Sequence, residues 1–208
     1  MESIKEGFHL FRAGGPIMYL ILLCSFIVLS IGIERYLYYK NIKANNEKFM
    51  AELKPLIEDS KWEKASELCQ ENGGIVAGVA SRGINCFTQK VVNIESVLEG
   101  EASLAVAKLK ANLNHLDTIV TIAPLLGLLG TVIGMIGSFS VMNVKNGQPL
   151  AITGGVGEAL VATASGLCVA VLSMLLYSYF NHQLDHVITE IEEVSIMLVR
   201  QIKQEEAS

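Results

Sequence analysis

The chain has 208 residues, 51% hydrophobic and 18% charged, with a mean hydropathy of +0.42 and a formal net charge of −5. That length allows one domain, or one and a half, at ~100–200 residues each, and the acidic balance excludes a broadly basic nucleic-acid binder. Residues 13–33, 118–144 and 159–181 carry no charge; at about 1.5 Å per residue each spans ~30–40 Å, enough to cross a ~30 Å hydrocarbon core, which argues against a soluble globule.

In chain order, residues 1–15 read as a short periplasmic N-terminus and 16–39 as a first transmembrane helix. Gly14-Gly15-Pro16 marks its start, with proline tolerated in a first helical turn. The apolar run 16–33 exceeds a signal-peptide core, and Glu34-Arg35-Tyr36 stands where a small-residue cleavage site belongs, so the helix is retained. Residues 40–117 read as a cytoplasmic helical region. Within it, Ser60-x-x-Glu63 has the form of a capping box, opening a helix that Gly73-Gly74 ends.

Asn93 is the next N-cap, and no proline follows it until Pro124. One helix is therefore predicted to run from Asn93 unbroken into the second span, 118–143. A periplasmic loop, 144–152, leads to the third span, 153–180, and a cytoplasmic helical tail, 181–208. Leu184, Val187, Ile191, Val194 and Leu198 repeat at alternating spacings of three and four, a seam that needs a partner helix. Ala102, Ala105, Leu109, Leu113, Leu116 and Val120 supply a matching stripe for an antiparallel hairpin. Of sixteen basic residues, only Lys5, Arg12 and Lys145 fall outside, so the N-terminus is predicted periplasmic and the C-terminus cytoplasmic. The fold class is an all-α membrane protein with three transmembrane helices, two of them extended into a cytoplasmic helical bundle.

Spans two and three differ from span one in kind. Gly127, Gly130, Gly134 and Gly137 form a small-residue stripe on span two, and Gly155, Ala159, Thr163, Gly166, Ala170 and Ser173 form another on span three. Such stripes let helix backbones approach closely, and packing is their ordinary reading. With helix ends placed near Asn143 and Thr153, Thr131 and Thr163 both lie ~15–18 Å deep, level with each other near the bilayer midplane. Each hydroxyl either bonds its own helix's backbone or belongs to a polar track for an ion, and spacing does not decide between them. Glu158 is the one carboxylate within spans two and three, either an ion-path group or an interfacial residue in the first turns of its helix. It stands five residues from Thr163, about 140° around the helix, so the two do not share a face.

Hydroxyls do not accept a proton at ordinary pH, so a proton path through these spans needs a carboxylate from another polypeptide. Elsewhere the chemistry is sparse. His182 and His186 are four apart but lack a third clustered ligand, so no metal site is assigned. Cys24, Cys69, Cys86 and Cys168 form no CxxC pair and read as small buried hydrophobes. No nucleophile–base pair, phosphate loop or cofactor fingerprint is present, and the chain does not read as an enzyme.

The residues just described resemble the MotA/TolQ/ExbB family of ion-driven motor channels, and within it the ExbB branch. Gly14-Gly15-Pro16-Ile-Met18 and Glu34-Arg35 resemble the two ends of that family's first span. Ala123-Pro-Leu-Leu-Gly-Leu-Leu-Gly-Thr131 and Gly157-Glu-Ala-Leu-Val-Ala-Thr163, with Gly166 close behind, match its two signature segments. Three spans rather than four argue against a flagellar MotA-type subunit.

The resemblance implies a homopentameric ring in the bacterial inner membrane. The ring would surround the single-span helices of an ExbD- or TolR-like partner carrying an intramembrane aspartate. Thr131 and Thr163 match the family threonines facing that aspartate, and Glu158 matches its third-span glutamate. Ion flow would then turn ring against partner and, through a TonB-like protein, energise outer-membrane transport. Where the family commonly has a proline after the Gly166 position, this chain reads Ala170-Val171-Leu172, which implies a straighter third helix. Ser165 adds a hydroxyl beside Thr163 that suits sodium as well as protons. A TolQ-like subunit for envelope integrity or another ion-driven motor, and a non-conducting membrane scaffold, are the alternatives.

Overall fold

The computed structural model describes residues 15–144 and 149–206, with the side chains of all of these except 44, 141–144, 149–154, 158 and 206. Expectations that fall on residues 1–14, 145–148 and 207–208, including most of the two segments expected to be periplasmic, lie outside the described residues. Helices α1 (Ile17–Glu58), α2 (Trp62–Asn72), α3 (Ile75–Thr88), α4 (Ile94–Lys110), α5 (Leu113–Val144) and α6 (Pro149–Glu206) follow in order. Helices α1, α5 and α6 are long and apolar enough to cross a membrane, so this is an all-α membrane protein with three spans. The chain divides into two compact units: the chain up to Ile33 with Leu113–Ser178, and Glu34–Asn112 with Tyr179–Ser208.

In the first unit, α1 begins just after Gly15 and Pro16. Gly15 takes a left-handed φ of 70°, and its carbonyl accepts from Met18 N–H at 3.2 Å. Ile17, Ile21 and Val28 are buried, and Gly32 lies against Leu176. The opposite side of the helix leaves Tyr19, Leu23 and Phe26 more than half exposed. An apolar surface of that kind is stable against lipid and not against water.

The second unit is a helical bundle with an ordinary buried core. Phe49, Leu53 and Ile57 of α1 are fully enclosed, as are Leu98 and Leu109 of α4. Leu184, Val187, Ile191, Val194 and Leu198 of α6 are all 5% exposed or less, so the predicted seam is a buried face. Burying each such side chain stabilises the bundle by about 1.5–3 kcal/mol. Helices α4 and α6 run antiparallel, tied by the 3.2 Å ion pair of Lys203 with Glu95. Helix α1 runs parallel to α6, with Tyr39 stacked on Phe180 at 6.0 Å and Asn46 Nδ2 donating to Glu190. On the matching stripe Ala105, Leu109, Leu113 and Leu116 are buried, but Ile119 takes the buried place expected of Val120.

Two local expectations are corrected. Ser60 does not open α2; it closes α1. Its φ is +56°, its N–H donates to Ile57 O at 3.0 Å, and Lys61 N–H reaches Leu56 O at 2.8 Å. That pair of bonds is a Schellman ending, and the N-cap of α2 is Lys61, without a side-chain cap. The Gly73 end of α2 does form, with φ +62°.

The predicted unbroken helix is also divided. Asn93 caps α4 by accepting from Ser96 N–H at 3.4 Å, but α4 ends at Lys110 and α5 starts at Leu113. At the break the Leu109 carbonyl receives Arg35 Nη1 and Tyr39 Oη, each at 3.4 Å. Side chains drawn to a helix carbonyl compete with its i+4 partner, which opens the ladder.

Candidate functional site

Helices α5 and α6 meet in the first unit through residues without bulk. A Cβ added to Gly127 would sit 2.9 Å from Thr163 Cα and 3.1 Å from Ala162 O. One added to Gly166 would meet Ala123 O at 2.5 Å and Gly127 Cα at 3.1 Å. Gly130 faces the Ala162 methyl, Gly134 faces Ala159, and Gly155 faces Ser138. Backbone approaches backbone along this line, as small residues permit in lipid. Ala170 is buried on the same side of α6, while Gly137 faces open space.

The two threonines part company on this surface. Thr131 Oγ1 donates to Leu128 O of its own helix at 2.6 Å, the ordinary behaviour of a membrane threonine. Thr118, Thr121, Ser138 and Ser140 do likewise on α5. Thr163 Oγ1 instead crosses to α5 and donates to Gly127 O at 2.9 Å. Ser173 makes a second crossing, donating to Leu116 O at 2.9 Å from a fully buried position.

The contacts also set a register. Thr163 stands opposite Gly127, four residues from Thr131. Thr163 and Thr131 are therefore offset by about one turn, ~5–6 Å, rather than level. Counts from the helix ends do not show this offset, because Thr131 lies thirteen residues from Val144 and Thr163 fourteen from Pro149; the contacts between the helices set it. The start of α6 at Pro149 places Glu158 nine residues beyond the first residue of its helix, past the first turns; its side chain lies outside the described residues.

Ser165 is half-buried, two residues from the crossing. Ala162, fully buried against Gly130, is a contact residue that sequence reasoning missed. The signal was there: Ala159, Ala162, Gly166, Ala170 and Ser173 follow at three, four, four and three. Of the cysteines, Cys69 and Cys86 are buried as expected, whereas Cys168 is exposed on its span. Among the described residues no cluster of three or more His, Cys, Asp or Glu forms that could hold a metal.

What this surface can do follows from its inventory. Among the described residues it offers hydroxyls and backbone carbonyls, and residues 118–144 and 159–181 contain no carboxylate; Glu158 lies just beyond, between Gly155 and Ala159. Such groups coordinate an ion or relay a proton, but do not store one.

Comparison with known proteins places this surface in context. The MotA/TolQ/ExbB proton channel family matches residues 74–193, which include both spans that build it. The biopolymer transport protein ExbB of Aquifex aeolicus is 30% identical over 182 residues, 86% of this chain and 83% of that protein. A protein of Methanothermobacter thermautotrophicus named as a biopolymer transport ExbB homolog is 29% identical over 190 residues, 91% of this chain and 68% of its own length. The Tol-Pal system protein TolQ of Pseudomonas aeruginosa is 36% identical over 101 residues, 45% of this chain and 44% of that protein.

Proposed function

Because the chain belongs to the MotA/TolQ/ExbB proton channel family, we propose that it is the channel-forming subunit of an inner-membrane motor driven by the proton motive force. In this reading five copies surround an ExbD-like single-span partner whose intramembrane aspartate supplies the carboxylate absent from residues 118–144 and 159–181. Thr131, Thr163, Ser165 and Glu158 line or border the ion path, with the α4 and α6 bundle on the cytoplasmic side. The work is delivered through a TonB-like protein to outer-membrane transport.

The observation that carries the proposal is the α5–α6 surface. Its backbones touch at Gly127 and Thr163, and it presents hydroxyls without a titratable group at that level. A scaffold needs the close approach but has no use for the hydroxyls. A channel that borrows its carboxylate needs both.

The test is energised siderophore uptake in a strain deleted for this gene and complemented with wild type, Thr163→Val or Thr163→Ser. The interhelical bond lost in Thr163→Val is worth about 0.6 kcal/mol in a membrane, too little to prevent assembly. Uptake with wild type and Thr163→Ser, and none with an assembled Thr163→Val ring, is the expected result. Full uptake with Thr163→Val would favour the scaffold. The TolQ likeness motivates a second reading, a subunit for envelope integrity. It is preferred if deletion leaves uptake intact and makes cells detergent-sensitive.

A further inference from the structure

Tyr36, Lys40, Lys43 and Glu47 follow one another at four, three and four along α1 and so share a face. Tyr179, Gln183, His186 and Glu190 do the same along α6. Within the second unit these parallel faces enclose a groove of about 350 Å³, walled by Tyr36, Tyr39, Lys40, Lys43 and, at its far end, Glu47 on one side and by Tyr179 and Gln183 on the other. It narrows into a recess of about 210 Å³ beside His186, closed by Glu47 and Glu190.

The groove is graded along its length. Two of its three tyrosines lie at the end nearest the apolar runs, which stop at Ile33 and Asn181. Tyr36 and Tyr179 are each about half exposed, at 50% and 48%, which is the environment of an aromatic side chain at a membrane–water interface. The lysines follow one and two turns further on, at the depth of lipid phosphates. Among the described residues neither Lys40 nor Lys43 takes part in a hydrogen bond or ion pair, although Glu47 stands one turn beyond Lys43. The far end is acidic, and Glu190 is already engaged by Asn46.

We propose that this groove seats the head group of an anionic phospholipid. Its phosphate lies between the ammonium groups of Lys40 and Lys43, its glycerol backbone lies against Tyr36 and Tyr179, and Gln183 donates from the opposite wall. The carboxylates of Glu47 and Glu190 mark the limit of the site and disfavour entry of the phosphate beyond Lys43. Both helices that build the groove are long and apolar enough to cross a membrane, and the groove residues follow the uncharged runs 13–33 and 159–181 or stand at their ends.

The experiment uses the full chain, stripped of lipid by detergent exchange and titrated with phosphatidylglycerol while bound lipid is counted by native mass spectrometry. Phosphatidylcholine of the same acyl chains and inorganic phosphate serve as separate arms. Wild type should retain phosphatidylglycerol at least tenfold more tightly than phosphatidylcholine, and Lys40→Gln/Lys43→Gln should lose that preference. Lys61→Gln/Lys64→Gln, with the same charge change away from the groove, should stay within twofold of wild type. Gln183→Glu, which touches neither lysine, should weaken phosphatidylglycerol severalfold and keeps the test valid if the double variant misfolds. Equal losses from both lysine pairs, or none from either, would overturn the proposal. Displacement of the lipid by inorganic phosphate at equal concentration would also overturn it and reassign the groove to a soluble anion.

Discussion

A Cβ added to Gly127 or Gly166 would come within 2.9 or 2.5 Å of the facing helix's backbone, whereas one added to Gly137, on the same sequence stripe, would meet nothing within 4 Å. Gly127→Ala and Gly166→Ala should each destabilise the helix pair by about 1–3 kcal/mol, because backbone cannot move aside as a flexible side chain can. Gly137→Ala should be neutral or slightly stabilising, since alanine is the better helix former. Thermal unfolding of the three variants in one detergent checks this; equal losses at all three would contradict the contact register. Cys69 offers a test of a different kind. Burial pushes its thiol from an ordinary 9.0 up to about 12. Below pH 9 the thiol is protonated in both folded and unfolded chains, so it adds no pH dependence. As pH rises from about 9 towards 12 the unfolded chain releases this proton first, and stability falls by up to about 1.4 kcal/mol per pH unit. Urea midpoints at pH 8 and 10.5 should therefore differ more in wild type than in Cys69→Ala.

At the scale of elements, two helices end on left-handed residues that carry side chains. Ser60 closes α1 at φ +56°, and Lys90 closes α3 at φ +54°, where Val91 N–H returns to Cys86 O at 3.0 Å. A left-handed residue other than glycine bears a strain of about 1–2 kcal/mol. Ser60→Gly and Lys90→Gly should each raise the melting temperature, less the contribution of the Ser60 hydroxyl, which accepts from Gln201 at 3.2 Å. A fall in melting temperature with Lys90→Gly would show that the strain is absent. These endings explain why the capping box misled. Ser-x-x-Glu is a statement about one helix start, but the same serine lies two residues past the end of another helix, and backbone closure outranks the side chain. The break between α4 and α5 was equally hidden. No proline or glycine marks Ala111-Asn112; the cause is Arg35 and Tyr39, more than seventy positions away.

At the scale of the whole molecule, the two units are stabilised by different solvents. The first exposes apolar side chains that only lipid or detergent satisfies, and the second buries an aqueous-type core. Trp62, the chain's one tryptophan, belongs to the second unit, its ring tilted against Phe87 at 4.8 Å and its indole N–H donating to Glu205. In detergent, urea should red-shift its emission in a transition that leaves much of the helical circular dichroism behind. The apolar spans keep their backbone hydrogen bonds wherever water is excluded. Coincident loss of fluorescence and helicity would instead mean that one cooperative unit spans the chain.

The sequence by itself determined the three spans, the all-α class, the buried seam of α6 and the small-residue stripes. These are one-dimensional properties: run length against membrane thickness, and spacing against the helical period. The tertiary structure decided what depends on a neighbour. It assigned Ala162 and Gly127 to the contact and left Gly137 out of it. It separated Thr163, bonded across to α5, from Thr131, bonded to its own helix, and offset them by a turn. Spacing specifies which residues share a face, but the register between two helices is chosen by which backbones can come closest, and that is a property of the pair.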